Sequence, residues 1–113
     1  MDIKVEALAE GTTVVVVSGE LDIYTAPRLR EQLLWLSDQD VGTPSRVLLD
    51  LNKVSFIDST GLGAIVGAHR RFTQRGGVLE LVCGRCPVQR LLTITRLDQV
   101  FRVHERLPEA NTA

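Results

Sequence analysis

Polar and apolar residues alternate from the first positions of the chain. Ile3, Val5 and Ala7 are spaced by Asp2, Lys4 and Glu6, which predicts an edge strand with one face in solvent. Glu10, Gly11 and Thr12 turn the chain. The β-branched run Thr13–Val17 then reads as a central strand, paired antiparallel to the first. At Thr25-Ala26-Pro27 the period changes. A capping hydroxyl followed by proline predicts a helix start, and Ala26, Leu29, Leu33 and Leu36 recur at helical spacing, with Trp35 flanking them. That helix should stop near Gln39 to Gly42, with Thr43-Pro44 in a loop.

Arg46–Leu51 is a short apolar run, read as a buried strand that Asn52-Lys53 separates from Val54–Ile57. Beyond Asp58-Ser59 the positions Leu62, Ile65, Val66, His69 and Phe72 share one helical face, until Gly76-Gly77 ends the helix. Val78–Val82 reads as a strand and Cys83–Cys86 as a turn. Pro87 opens a helix with Val88, Leu91, Leu92 and Thr95 inward, and Val100–Val103 reads as a last strand. Strands alternating with helices in the order β-β-α-β-α-β-α-β predict a single α/β domain with a mainly parallel sheet. Residues 1–104 form it, followed by a polar tail at 105–113.

Size and charge narrow the function. A chain of 113 residues supports one core. A net charge of −1 gives no electrostatic case for nucleic acid or an anionic membrane as partner. No apolar run reaches the roughly 20 residues of a membrane span, and the N-terminus lacks the pattern of a signal peptide. A cytoplasmic location follows as the expectation, with Cys83 and Cys86 reduced.

The chemistry concentrates at Asp58-Ser59-Thr60-Gly61-Leu62-Gly63, where a strand gives way to a helix. A serine there can serve simply as the helix cap. It can equally accept a phosphate, because the unpaired amides and positive dipole of the first turn favour an anion. Gly61 and Gly63 would let a partner approach closely. A hydrolase elbow needs glycine two residues before the serine, where Ile57 stands, and His69 lies too far along the helix to act as base. The glycines do not match a dinucleotide fingerprint, and there is no P-loop. Asp22, Asp50 and Asp58 could gather at one sheet edge, but carboxylates at strand ends are more often solvated or capping, so no metal is expected. Cys83-x-x-Cys86 is read as two reduced structural cysteines, with a disulfide formed under oxidation as the alternative. His69, Arg70, Arg71 and Arg75 make a small basic helix face, and His104 reads as a surface residue.

Three segments together resemble one family. Gly19-Glu20-Leu21-Asp22 with Thr25-Ala26-Pro27-Arg28-Leu29, then Val47–Leu51, then Phe56–Gly63 are similar to the STAS domain of bacterial anti-sigma factor antagonists. The resemblance implies a STAS-type fold: a four- to five-stranded, mainly parallel sheet with an antiparallel edge strand and helices mostly on one side. It implies a binding protein rather than an enzyme, without cofactor. Its partner would be an anti-sigma factor that is also an ATP-dependent serine kinase, and a phosphatase would reset it. By position Ser59 is the phosphorylated serine. Asp22 and Thr25 would help form the partner surface with Asp58, Ser59, Thr60, Gly61, Leu62 and Gly63. Asp58 would orient the serine or its kinase, and Thr60 is the second candidate acceptor. The cysteine pair has no role in the family pattern. The alternatives are a non-switching STAS scaffold or transporter-associated subunit, and a redox protein using Cys83 and Cys86. The expected state is a monomer or weak dimer.

Overall fold

The computed structural model describes residues 1–39 and 44–108. Its elements are β1 (Asp2–Ala9), β2 (Thr12–Leu21), α1 (Ala26–Ser37), β3 (Arg46–Ile57), α2 (Ser59–Gln74), β4 (Val78–Val82), α3 (Pro87–Thr95) and β5 (Val103–His104). The five strands lie in sequence order across one sheet. β1 pairs antiparallel with β2, and the other three pairings are parallel. Three successive crossovers all step the same way along the sheet. Because such crossovers share one hand, all three helices fall on one face. Burial agrees. The main core joins Val15, Val17, Leu49, Leu51 and Leu81 to the helical residues Leu29, Leu33, Ile65, Phe72 and Leu92. The other face carries a strip of Val14, Leu48 and Val82, with no helical residue. The predicted stripes of α1 (Ala26, Leu29, Leu33, Leu36) and α2 (Leu62, Ile65, Phe72) are buried, while Trp35 stays outside at 60% exposure.

Several expectations change. β3 is one twelve-residue strand rather than two runs. Asn52 does not turn the chain; its Oδ1 accepts the Gly84 N–H at 2.7 Å, tying β3 to the loop after β4. Two register shifts, opposite Val16–Ser18 and Gly19–Glu20 of β2, place an extra residue each on β3 and absorb the irregularity, and Gly19 takes φ 95°. The last strand begins three residues later than expected. Arg96 ends α3 in the left-handed conformation and a short 3-10 turn at Leu97–Gln99 follows, so Val100 stays exposed and Phe101 turns inward. α1 ends at Ser37, two residues before the expected stop near Gln39 to Gly42, and most of the polar tail lies outside the described residues.

Cys83 and Cys86 are disulfide-bonded rather than reduced. The turn after β4 brings their Cα atoms to 5.9 Å, within disulfide reach. The Cys83 N–H donates to the His104 carbonyl at 2.7 Å, which docks that turn on β5.

His104 is also more than a surface residue. On the helix-free face its Nε2 lies 2.9 Å from Glu80 Oε1, and an Arg46 guanidinium nitrogen lies 2.8 Å from the same oxygen. Burial pushes the Glu80 carboxyl up, but hydrogen bonds from His104 and Arg46 outweigh it and hold the group below the usual value of 4.5. A lowered carboxylate pKa adds stability above the unfolded value and loses it as pH falls through the folded one. Glu80→Gln should therefore destabilise the domain at neutral pH, with the deficit shrinking as pH drops below 4.5. Urea denaturation of both proteins at about pH 7 and about pH 3 checks this; a deficit equal at the two pH values would refute it.

Candidate functional site

Leu21 ends β2 beside Ile57, the end of β3. The loop leaving β2 and the start of α2 therefore emerge together at the carboxyl edge of the parallel strands, where open α/β sheets place their sites. The Asp58 N–H donates to the Leu21 carbonyl at 3.2 Å, which locks the two exits together.

The β2–α1 loop is held by its own side chains. Asp22 Oδ1 accepts the N–H groups of Tyr24 at 2.9 Å and Thr25 at 3.1 Å, a local Asx turn. Thr25 Oγ1 accepts the Asp22 N–H at 2.9 Å and donates to the Glu20 carbonyl at 2.8 Å. Thr25 occupies the position expected for the α1 cap, yet its hydroxyl makes no capping bond to the helix. It closes the loop behind it instead. Pro27, near the start of α1, has no N–H to cap, which leaves the hydroxyl free for that task.

Asp58 joins the two exits a second time. Its Oδ1 accepts the Gly61 N–H at 2.9 Å and its Oδ2 accepts the Ile23 N–H at 3.1 Å. Asp58, extended at φ −110°, is thus the α2 cap, and Ser59 is the first helical residue rather than the cap. Ser59 and Thr60 are both exposed, and among the described residues neither side chain makes a hydrogen bond. Gly61 and Leu62 are buried and face inward, whereas Gly63 is exposed with open space around its Cα. Of the segment singled out in the sequence, Ser59, Thr60 and Gly63 can touch a partner, and Asp58 and Gly61 hold them in place.

Removing the Asp58 carboxylate frees two amides. Asp58→Ala should cost about 1–2 kcal/mol of stability, while Asp58→Asn, which keeps one acceptor, should cost less. Chemical denaturation gives the ranking, and equal losses for the two variants would contradict the double role.

The remaining candidates do not join this site. His69 packs against Phe101 in a tilted contact with ring centroids 4.6 Å apart, ten residues along α2 and about 15 Å from Ser59 by helix rise. Asp50 is buried in mid-strand with Oδ1 on the Asn52 N–H at 3.0 Å, so the three carboxylates are not brought together. Arg71 pairs with Asp38 at 2.8 Å, which ties α2 to the end of α1. The Cys83–Cys86 turn leads into α3 rather than α2.

Two residues at the site went unnoticed in the sequence. Ile23 and Tyr24 sit at the loop tip, 60% and 86% exposed, on a backbone that Asp58 and Asp22 hold. The available signal was an apolar pair inside a polar connection, with no strand or helix partner. A shallow groove of about 310 Å³ runs between Pro27 and Arg30 of α1 and Thr60 and Gly63 of α2.

The STAS domain family model matches residues 5–110. The chain belongs to the STAS family. The anti-sigma-B factor antagonist of Bacillus subtilis (strain 168) is 39% identical over 87 residues, 77% of this chain and 76% of that one. The STAS fold also matches a crystal structure of an anti-sigma factor antagonist from Mycobacterium paratuberculosis. That likeness has a TM-score of 0.83 at 29% identity, over 98% of this chain and 91% of that one. The Bacillus cell fate determinant SpoIIAA in its phosphorylated form shares the fold, with a TM-score of 0.72 at 20% identity over 93% of each chain. Among the described residues of this STAS domain no helix is long and apolar enough to cross a membrane.

Proposed function

We propose that the protein is a phosphorylation-switched anti-sigma factor antagonist that acts in the cytoplasm by binding and not by catalysis. Unmodified, it binds an anti-sigma factor that is itself an ATP-dependent serine kinase, and so frees a sigma factor for transcription. The partner then transfers the γ-phosphoryl group of ATP to Ser59 Oγ, takes up the hydroxyl proton, and leaves ADP. A phosphatase reverses the modification.

The observation that carries this reading is Ser59 itself: an exposed hydroxyl without a hydrogen bond among the described residues, on the first residue of α2. The relatives' names support the partner class. The surroundings suit both states. Unmodified, Ile23, Tyr24 and Gly63 offer an apolar and unobstructed surface for packing. Phosphorylated, the site gains roughly −1.5 to −2 charges next to Asp58, whose carboxylate already occupies the Gly61 amide. The helix end tolerates that charge, but a partner packed against it would have to desolvate it.

Incubation with the anti-sigma kinase and ATP, followed by intact-mass measurement, tests the proposal. The wild type should gain one phosphate and Ser59→Ala none. No adduct on the wild type would favour a non-switching scaffold. An adduct that persists in Ser59→Ala would move the switch to Thr60.

A further inference from the structure

We infer that β1 is a self-association edge, through which two copies of this chain pair β1 to β1, antiparallel, about a two-fold axis at Val5. β1 ends the sheet, so among the described residues its outer backbone groups have no strand partner. Such an edge is a template for another strand, and proteins usually blunt it with charges or cover it. Here the charges are self-complementary. With the axis at Val5, Lys4 of each copy lies directly opposite Glu6 of the other. Both pairs fall on the helix-free face, at the spacing where cross-strand ion pairs form. Neither Lys4 nor Glu6 makes an ion pair or side-chain hydrogen bond among the described residues.

The helix side of β1 points to the same occupant. Ile3, Val5 and Ala7 face that side, but α1 covers β2 and leaves Val5 at 41% exposure. Trp35, at 60% exposure, lines a groove with Ile3 at this edge. In the pairing about Val5, Ile3 meets the other copy's Ala7. The small side chain of Ala7 leaves room for Trp35 to close over the seam. Two exposed apolar groups on each copy are then covered by the same contact, an isologous interface.

The pairing also has defined limits. The bulge between Ala7 and Ala9 ends the regular strand. The opposite sheet edge, β5, has two residues, too few to recruit a further copy. The product is a closed dimer with a continuous ten-stranded sheet, not a fibre. Ser59 opens α2 at the carboxyl ends of β2 and β3 and is not one of the β1 residues that form the seam.

Sedimentation velocity on the full chain over a concentration series, with its single tryptophan as a second probe, tests the inference. The mass should rise from 12.5 kDa to twice that value, and the Trp35 emission should shift to the blue in parallel. Lys4→Glu and Glu6→Lys should each weaken self-association by about tenfold or more, because two attractive pairs become two repulsive ones. The double reversal Lys4→Glu with Glu6→Lys should restore it, a rescue that excludes misfolding as the cause. A protein that stays monomeric at hundreds of micromolar overturns the inference; the edge charges then keep copies apart. So does a dimer that is indifferent to the single reversals, or a double reversal that fails to rescue.

Discussion

The Ser59→Glu protein should bind the anti-sigma kinase about 100-fold more weakly than wild type, a loss of roughly 3 kcal/mol, while Ser59→Ala binds as wild type. The asymmetry follows from the site. Alanine removes an exposed hydroxyl that makes no hydrogen bond among the described residues, so neither fold nor surface changes much. Glutamate puts a full charge beside the Asp58 carboxylate, at the centre of the surface formed by Ile23, Tyr24 and Gly63. Packing a partner there strips water from that charge. Calorimetric titration of both variants against the kinase, without ATP, measures the difference. Equal affinities would remove charge as the basis of the switch, whether or not Ser59 is phosphorylated.

Gly61→Ala should lose about 3 kcal/mol of stability, whereas Gly63→Ala, two residues on, should lose none and gain up to about 1 kcal/mol. A Cβ on Gly61 would stand 2.6 Å from the Leu21 carbonyl oxygen and 2.8 Å from Leu21 Cγ. The carbonyl cannot step aside, because it accepts the Asp58 N–H that joins β2 to the α2 cap. The whole switch region would have to move. Gly63 has nothing within 4 Å of that position, so alanine there only removes the backbone entropy cost of a helical glycine. Denaturant midpoints with unchanged m-values decide it. A Gly61→Ala domain as stable as wild type would show that the first turn of α2 is looser than the geometry implies.

The two glycines illustrate what is legible along the chain and what is not. From the sequence both read as room for a partner. Only the register of β2 on β3, which sets Leu21 against the first turn of α2, shows that Gly61 makes room for the protein's own backbone. Asp58 and Ser59 behave the same way. Either could have been the cap, since both are good capping residues. The choice is made by Ile23, a residue 35 positions away, whose N–H takes the second carboxylate oxygen. Thr25 was placed correctly at the start of α1, but its hydroxyl serves the loop before it. The last strand was misplaced because Val100–Val103 has strand composition, while the left-handed Arg96 and the pull of Phe101 toward His69 decide where pairing begins. The cysteines were expected reduced on grounds of compartment, which local turn geometry does not follow.

By itself the sequence determined the element order, the one-sided helical stripes, the antiparallel first strand and the segment that carries Ser59. These are local or periodic properties, written by which residues recur at two and which at three to four. The tertiary structure alone decided which of two adjacent hydroxyl-bearing or acidic residues caps α2. It also decided that Ile23 and Tyr24 stand exposed beside Ser59, and that Lys4 and Glu6 lie on an open edge. Those facts depend on which strands are neighbours and in what register, and no short window of sequence contains both partners.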